Sequence, residues 1–495
     1  MLFSSHSFLF GFLPLVLLAS AAAQLWAPRL TLVALVILSL IFYSRWDSHY
    51  LILIVGSIIV NYAIGQRLFA SPSKLLLVFA VVANLANIGW FKYYNFFVSG
   101  LRIGGIDAFP FLDIVLPLGI SFFTFQQISY LVDNYLGKIP EHSFKDYIFV
   151  VTFFPHLIAG PIVRYSEIAP QLAAGRPRML LSEMAPGATL LIIGLAKKVL
   201  LADPVSIYAT PVFQAAAAGQ QISMLTAWQG ALAYTFQIYF DFSGYSDMAL
   251  GMALLVGIHL PINFNSPYKA TSIIDFWRHW HISLSRFLRD YLYIPLGGSR
   301  YGFLRRYVNV LVVMLLGGLW HGAGLTFLIW GLLHGFYLLL NHAYRDTLVP
   351  LLPPRLTTSR AWTATCWLAT FLAVVIAWVF FRASDHYAAL KILKAMAGVT
   401  SITAPAASAA ELASMASLFV VLAVIAFGMP NSQTVVGIPG STPESQHAHR
   451  EIAPLDHGRW WKWRPNMRWA ALSGLVFAAV LVSLSKPSPF LYFQF

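Results

Sequence analysis

The spacing of charged residues along the 495-residue chain predicts where its helices lie. Long stretches contain no Asp, Glu, Lys or Arg, and the longest lie at 1–28, 204–240, 307–344 and 412–443. A helix needs about 20 mostly apolar residues to cross the hydrocarbon core of a bilayer. The stretches 204–240 and 307–344 are therefore long enough for more than one helix each. The pattern predicts about eleven membrane-spanning helices, with shorter helices that dip into the membrane or lie on its surface.

Composition supports this interpretation. Apolar residues make up 58% of the chain and charged residues only 10%, which excludes a disordered chain, a coiled coil and an ordinary cytosolic enzyme. We therefore expect an all-α, polytopic integral membrane protein that forms a single membrane domain over residues 1–495. The net charge of +13 indicates basic loops beside anionic membrane lipid rather than a nucleic-acid partner.

The first apolar run and the polar loops between later runs indicate the membrane topology. No basic residue precedes the first apolar run, so we interpret this run as a retained helix rather than a cleaved signal peptide. Polar loops are predicted at 345–360 and 430–468. The second loop is rich in Arg and Lys, which favours the cytoplasmic side.

Several chemistries are excluded by residues that the chain lacks. Cys366 is the single cysteine, so neither a disulfide framework nor a cysteine-based metal cluster is possible. The phosphate-binding loop, the zinc-binding HExxH helix and the GxSxG nucleophile turn are also missing. We predict no metal. The lack of an internal repeat weakens the case for a transporter built from repeats.

A histidine at position 321 lies in the charge-free stretch 307–344, among glycines of the segment MLLGGLWHGAGLTFLIWGLLHG. Such glycines permit the close approach of another helix or of a substrate. A buried imidazole away from other charges stays neutral, and a general base must be neutral. His321 is therefore either a general base or a histidine that bonds a neighbouring helix. For His334 and His342 we favour the second role.

A second cluster is DFWRHWHISLSRFLRDYLYIPLGG, residues 275–298. Considered as one helix, it has an apolar face with Trp277 and Trp280 and a polar face, which is typical of a helix at the membrane interface. The polar face carries Arg278, His281, Ser285 and Arg289. It is either an interfacial anchor or the lining of a cavity that places Arg278 and Arg289 near an anionic donor. His279 and His281 point apart on a helix, which disfavours a two-histidine metal site.

Two further segments place polar residues beside apolar runs. In QIYFDFSGYSDMALG, residues 237–251, Asp241 and Asp247 either orient a histidine or bond backbone exposed by a helix break at Gly244; we favour the structural role. In FFPHLIAGPIVRYSEIAPQL, residues 153–172, prolines and a glycine predict a broken helix around His156. Broken helices at membrane depth are tolerated only where they are buried or line water.

These four segments together resemble the signatures of the membrane-bound O-acyltransferase family, in the expected order and over nearly the whole chain. The similarity is greatest to its bacterial alginate O-acetylation subfamily. The resemblance implies about eleven spanning helices, with re-entrant and interfacial helices, around a central tunnel. It implies His321 of the WHG motif as the essential residue and His281 of the RxWH motif as a second important histidine. It gives His279 no role.

The resemblance also implies an activity: O-acetylation of an exported, alginate-like polysaccharide with an acetyl group that crosses the membrane from a cytoplasmic thioester. The donor would be acetyl-CoA or another acyl thioester, and no bound cofactor is expected. We expect His321 to act as general base and His281 to orient the donor or stabilise the oxyanion. Candidates near the donor or along the tunnel are Trp320, Arg278, Ser285, Arg289, Asp241, Asp247 and His156.

The expected location is the bacterial inner membrane. Expected partners are a periplasmic or extracellular acetyltransferase that completes the transfer, a polysaccharide synthesis and export complex, and membrane lipid. Two alternatives stay open. One is a transporter of an acyl donor or a sugar without covalent chemistry. The other is the same enzyme type with cellulose, another exopolysaccharide, peptidoglycan or teichoic acid as acceptor.

Overall fold

A computed structural model describes residues 2–175, 177–401, 408–438, 461–484 and 490–491. These residues form helices and loops and contain no β-strand. Seven helical segments are long and apolar enough to cross a membrane, and two shorter apolar helices accompany them. The predicted all-α, multi-pass membrane fold is confirmed, while the number of about eleven spans stays a prediction. The seven segments are Phe8–Trp26, His49–Ala70, Lys74–Ile103, Gly302–His321, Leu325–Leu351, Arg360–Arg382 and Ala409–Gly428.

The α-helices are numbered here in chain order. The first eleven are α1 Leu13–Trp26, α2 Thr31–Ser44, α3 His49–Ala70, α4 Lys74–Ile88, α5 Tyr94–Ile103, α6 Ile120–Tyr135, α7 Phe144–Thr152, α8 Phe154–Leu157, α9 Tyr165–Ala173, α10 Leu181–Ala196 and α11 Asp203–Ala217. The others are α12 Met224–Leu255, α13 Ile273–His279, α14 Ile282–Leu288, α15 Gly302–His321, α16 Leu325–Ala343, α17 Pro354–Thr357, α18 Arg360–Arg382, α19 His386–Met396, α20 Ala409–Ala423, α21 Ser432–Val436 and α22 Met467–Ser483. The charge-free stretches 204–240 and 307–344 each hold parts of two helices, as predicted.

Contacts divide the described residues into two compact units. Unit 1 lies within residues 1–196, 243–262 and 432–493, and unit 2 lies within residues 197–242 and 263–431. Helix α12 contributes its first part to unit 2 and its last part to unit 1. The prediction of a single membrane domain stays a prediction.

Unit 1 is held by buried amides and by close helix contacts. Asn61 of α3 donates to Oδ1 of Asn84 in α4 and to Oε1 of Gln127 in α6, at 3.3 and 2.8 Å. Such bonds join helices in a bilayer, where an unpaired polar group is costly. A Cβ on Gly194 of α10 would lie 2.6 Å from the carbonyl oxygen of Gly244 in α12. The two helices therefore touch through backbone at this point.

The helix break predicted at Gly244 is wrong, because α12 continues through this residue to Leu255. The glycine serves the contact with α10 instead of a turn. Without side chains at Gly194 and Gly244, the two backbones approach closely, which is the use of glycine that interhelical packing in membranes favours. The sequence shows the small residue but not the helix that packs against it.

Unit 2 contains the helical hairpin α15–α16, in which glycines again allow close packing. A Cβ on Gly318 would meet the carbonyl oxygen of Phe327, and one on Gly331 would meet that of Met314. These contacts confirm that glycines near His321 serve the approach of another helix. Helix α16 also packs on α13 and α18.

The predicted loop 345–360 contains short helical turns, among them Val349–Leu351 and Pro354–Thr357, before α18 begins at Arg360. Ser359 caps α18, since its hydroxyl accepts a hydrogen bond from the Trp362 amide at 3.1 Å. Within the predicted loop 430–468, helix α21 forms over Ser432–Val436, and residues 439–460 lie outside the described part of the chain.

Candidate active site

Trp320 and His321 lie at the end of α15, and both side chains are buried. Gly322 follows in an extended conformation, with φ −162° and ψ 149°, and ends the helix. A Cβ on Gly322 would collide with the Phe327 ring. A glycine is therefore required directly after the histidine, because this position has no room for a side chain.

His321 is enclosed by aromatic rings of unit 2 and is 5% exposed. Its ring centroid lies 4.9 Å from that of Trp320, 5.1 Å from that of Trp330 and 5.1 Å from that of Phe381. These three rings come from α15, α16 and α18. The position suits a base that must accept a proton.

His281 lies at a break between two helices. Helix α13 ends at His279 and α14 begins at Ile282, so the single helix predicted over this segment is wrong. The cause is the backbone of His281, which has φ 43° and ψ 54°. Non-glycine residues rarely adopt this left-handed conformation, and such strain often accompanies function. The break turns His281 inward, where it is 1% exposed.

Asn263 fixes the orientation of the His281 ring. Its Oδ1 accepts hydrogen bonds from the amide and hydroxyl of Ser283, at 3.3 and 2.9 Å. The same Oδ1 lies 3.1 Å from His281 Nδ1. Because a backbone N–H can only donate, the Asn263 atom is an acceptor, and Nδ1 of His281 donates to it. In the neutral ring Nε2 is then the acceptor.

The two candidate histidines share one neighbour. The Trp320 ring centroid lies 6.1 Å from that of His281 and 4.9 Å from that of His321. The ring of Phe242 covers His281 from another direction, edge to face at 4.8 Å. Unit 2 therefore brings together three of the predicted site residues, His281, Trp320 and His321, although they are separated by about forty positions along the chain.

A third histidine extends the same aromatic cluster. His334 of α16 is fully buried, and its Nδ1 accepts a hydrogen bond from Trp277 Nε1 at 3.2 Å. This confirms the predicted role of His334 as a bond between neighbouring helices. Its Nε2, and Nε1 of Trp330, are buried without a hydrogen-bond partner among the described residues. Buried donors without a partner are uncommon in folded proteins and can indicate a catalytic role.

The remaining predicted residues of the 275–298 segment are not on the same face as His281. Arg278 and Arg289 are exposed, and Arg289 pairs with the adjacent Asp290 at 2.6 Å. Ser285 is half-buried, and its hydroxyl donates to the carbonyl oxygen of Trp280 at 3.4 Å. The predicted polar face is thus divided by the break at His281. A role for these residues near the donor stays a prediction.

Asp241 takes part in a buried ion-pair network of unit 2. Its carboxylate lies 2.6 Å from Nζ of Lys198, and that amine lies 2.9 Å from the carboxylate of Asp203. Lys198 and Asp241 are both buried. A buried ammonium and carboxylate stabilise each other only as a pair. These contacts support the structural role that the sequence favoured for Asp241.

Asp247 and His156 belong to unit 1. The Asp247 carboxylate accepts hydrogen bonds from Ser432 Oγ and Gln433 Nε2, at 2.6 and 2.5 Å, and so ties α12 to α21. His156 lies on the short helix α8, beside the predicted break at Gly160, and its Nδ1 is 3.0 Å from Nε2 of Gln126. The broken helix is confirmed. A role for either residue along a tunnel stays a prediction.

The described ranges contain no evident metal site. There, no three His, Cys, Asp or Glu side chains come together in a way that would hold a metal ion. His281 and His321 each have aromatic neighbours. The arrangement suits proton transfer in a buried pocket.

Sequence reasoning missed several residues that build this pocket, namely Asn263, Ser283, Trp330, Trp378 and Phe381. Trp330 follows His321 by nine residues in the same motif and is detectable from its place there. Asn263 carries no local signal beyond its position within the charge-free stretch 248–268. Its importance follows from its contact with His281, eighteen residues later.

Comparisons with known proteins identify the class of this chain. Residues 137–384 match the model of the membrane-bound O-acyltransferase family. A peptidoglycan O-acetyltransferase of Helicobacter pylori is 42% identical over 80% of each chain. A probable alginate O-acetylase AlgI of Pseudomonas syringae is 38% identical over 100% of each chain. A teichoic acid D-alanyltransferase of Streptococcus thermophilus is 29% identical over 52% of this chain and 65% of its own length.

The chain therefore belongs to the membrane-bound O-acyltransferase family. These matches confirm the resemblance to the family, the multi-pass helical fold and the assignment as an O-acyltransferase. The matched region includes Asn263, His281 and His321, so the aromatic pocket of unit 2 lies within the part of the chain that defines the family.

Proposed function

We propose that the chain moves an acetyl group from a cytoplasmic thioester across the membrane for the O-acetylation of an exported polysaccharide. His321 acts as the general base. The observation that carries this proposal is the placement of His281 and His321 against the same Trp320 ring in a buried aromatic pocket. A buried imidazole in its neutral form can remove a proton from a hydroxyl.

In the proposed reaction, His321 takes the proton of the acceptor hydroxyl, and the hydroxyl oxygen attacks the thioester carbonyl. The resulting tetrahedral oxyanion collapses, the carbon–sulfur bond breaks, and the thiolate takes the proton back from the imidazolium. A positioned base contributes about 10²–10⁴-fold to such a step. The single thiol, Cys366, lies on α18, and nothing connects it to an acyl-enzyme intermediate.

Of the two roles expected for His281, its hydrogen bonding supports positioning. Because Nδ1 donates to Asn263, Nε2 of the neutral ring can accept a hydrogen bond from a substrate N–H or O–H. It cannot donate to an oxyanion unless the ring becomes charged. We therefore assign His281 to the orientation of a substrate and look elsewhere for the oxyanion donor.

Trp330 is the candidate donor for the oxyanion. Its ring lies 5.1 Å from that of His321, and its buried Nε1–H has no partner among the described residues. Donors fixed in advance at the site of developing charge make large contributions to catalysis, since they need no reorganisation during the reaction. His334, whose Nδ1 is engaged by Trp277, adds a second buried N–H to the same cluster.

The names of the relatives support the proposed acceptor class. They give alginate and peptidoglycan as the acetylated polymers, and both are glycans with free hydroxyl groups. An alginate-like exopolysaccharide is the acceptor that we propose, and peptidoglycan is the alternative supported by the 42% identical relative. The donor is acetyl-CoA or another acyl thioester.

We propose the bacterial inner membrane as the location, with the basic loops on the cytoplasmic side. The loops 345–360 and 430–468 carry Arg and Lys, which accumulate on that side. The two candidate spans Arg360–Arg382 and Ala409–Gly428 separate these loops, so a single crossing by each returns the chain to the same side. An extracytoplasmic acetyltransferase and a polysaccharide export complex would receive the acetyl group.

Radiolabelled acetyl-CoA supplied to inverted membrane vesicles tests this proposal. We expect label to appear as an acetyl ester on glycan or on a partner protein, only in vesicles that contain the chain. Label that enters the vesicles as intact thioester would identify a transporter instead. Vesicles formed in the presence of purified alginate or of purified peptidoglycan enclose the polymer on the extracytoplasmic face, and only the correct polymer should gain base-labile acetyl.

A further inference from the structure

A groove in unit 2 lies apart from the residues that surround His321. It has a volume of about 600 Å³ and runs between α16 and α18, with the turns after α16 at one end. Leu340 and Tyr344 form one wall, and Cys366 and Ala369 form part of the other. Leu340 and Ala369 are exposed, so the groove opens sideways from the helices. A ligand can therefore enter it from the surrounding membrane.

The wall formed by α18 is apolar although it carries several hydroxyl groups. Thr363, Thr365 and Thr370 each donate a hydrogen bond to the carbonyl oxygen four residues earlier in the chain, at 3.1, 3.0 and 2.7 Å. Their hydroxyl protons are thus already used within α18. These residues contribute their methyl groups to packing, and the wall offers no hydroxyl donor to a polar ligand.

One end of the groove is cationic. Arg345 lines it and is exposed. The neighbouring Asp346 is engaged by Arg306, with 2.6 Å between the guanidinium and the carboxylate. The charge that remains at this end is positive, and it faces no described acidic partner within the groove lining.

Aromatic residues mark the depth of this end in the bilayer. Tyr344 and Trp362 both line the groove beside Arg345, and such rings concentrate at the headgroup level of a membrane. From Trp362 the lining continues along α18 to Ala373, which spans about 16 Å at 1.5 Å per residue. That distance is close to half of a hydrocarbon core of about 30 Å, so the groove covers one leaflet.

We propose that this groove binds one anionic glycerophospholipid of the bilayer, with its phosphate at Arg345 and one acyl chain along α18. The apolar wall matches an acyl chain and the single cationic end matches a phosphate. Basic pockets between membrane helices recognise anionic headgroups in this way. The proposal does not depend on the acyl acceptor or on the role of His321.

Cys366 provides a probe inside the groove, because it is the only cysteine of the chain. The experiment measures the rate at which N-ethylmaleimide alkylates the full-length protein in a zwitterionic detergent, by intact mass. Phosphatidylglycerol and phosphatidylcholine are added at equal mole fraction. We expect phosphatidylglycerol to slow alkylation more strongly than phosphatidylcholine does, because only the first carries a net negative charge.

Variants at the two ends of the groove make the test specific. Arg345→Gln should weaken the effect of phosphatidylglycerol by about fivefold, as expected for one arginine near a headgroup. Arg345→Lys should keep most of the effect. Arg355→Gln is the matched control, since Arg355 lies in the same segment without lining the groove. Ala369→Trp should slow alkylation without lipid and remove the dependence on lipid, which tests the groove independently of Arg345.

Equal protection by both lipids, or an Arg345→Gln variant that responds like native protein, would overturn the proposal in favour of unselective lipid contact. Protection by acetyl-CoA but not by phosphatidylglycerol would also overturn it and would assign the groove to the donor. Size-exclusion profiles confirm that each variant is folded before its alkylation rate is compared.

Discussion

His281 donates a hydrogen bond from Nδ1 to Oδ1 of Asn263 across 3.1 Å, and this bond determines which nitrogen of the ring faces away as an acceptor. Asn263 is fully buried and also receives two hydrogen bonds from Ser283. The left-handed backbone at His281 is thus held by a side chain that lies outside the RxWH motif. Asn263 is a positioning residue in this account, because it acts through His281.

Replacement of Asn263 tests this relationship. Asn263→Leu should lower the rate of acetyl transfer by about 100-fold, the effect expected when a reacting group is displaced by about 1 Å. Asn263→Asp keeps an acceptor oxygen and should retain more activity than Asn263→Leu. Initial rates at saturating and at low donor concentration show whether kcat or KM changes. Equal loss in both variants, with identical unfolding temperatures, would contradict a role through the acceptor oxygen.

Trp330 is predicted to donate to the oxyanion. Trp330→Phe keeps an aromatic ring and removes the N–H group, so kcat should fall by about 10²-fold or more, as when one oxyanion donor is lost. Trp26→Phe is the matched control, because Trp26 is 83% exposed and lies in unit 1. Stopped assays with equal amounts of each folded variant measure the difference. A Trp330→Phe variant with native kcat would remove Trp330 from the mechanism.

The Lys198–Asp241 pair makes a different prediction, on stability. Lys198→Met leaves the Asp241 carboxylate buried without its cation and should cost about 3–5 kcal/mol of unfolding free energy. The double variant Lys198→Met/Asp241→Asn removes both charges and should be more stable than the single one. Thermal unfolding followed by tryptophan fluorescence gives the order of the midpoints. A double variant less stable than Lys198→Met would contradict the pairing.

The contact between α10 and α12 predicts the effect of one methyl group. Gly194→Ala would place a Cβ 2.6 Å from the Gly244 carbonyl oxygen and should destabilise the protein by about 1–3 kcal/mol. Gly474→Ala on α22 is the control, because nothing lies within 4 Å of its Cβ position. There, the higher helix propensity of alanine should leave stability unchanged or slightly increased. Equal unfolding midpoints for both variants would show that the backbones are not in contact.

The sequence predicted the all-α, multi-pass fold because the apolar runs between charges are long. Its errors lie where one residue responds to a distant partner. Gly244 was expected to break a helix, but α10 packs on it and α12 continues. His281 was placed inside a helix, but its left-handed backbone ends one helix and starts another.

The candidate site was predictable only in part for the same reason. His321 and His281 are visible in the sequence as intramembrane or motif histidines, which are costly unless they serve a function. Their common neighbour Trp320 adjoins His321, but its proximity to His281 depends on the packing of α15 near the α13–α14 break. Asn263 and Phe381 enter the pocket from segments that carry no motif, so no local pattern identifies them.

The most direct test of the central claim compares His321→Ala with His342→Ala in the acetyl-transfer assay, at equal amounts of inserted protein. Both histidines lie on the α15–α16 hairpin, but His342 is half-buried and lies outside the aromatic pocket. The account predicts that His321→Ala loses about 10²–10⁴-fold in rate while His342→Ala stays near native. Native rates in a stably inserted His321→Ala variant would contradict the assignment of the general base.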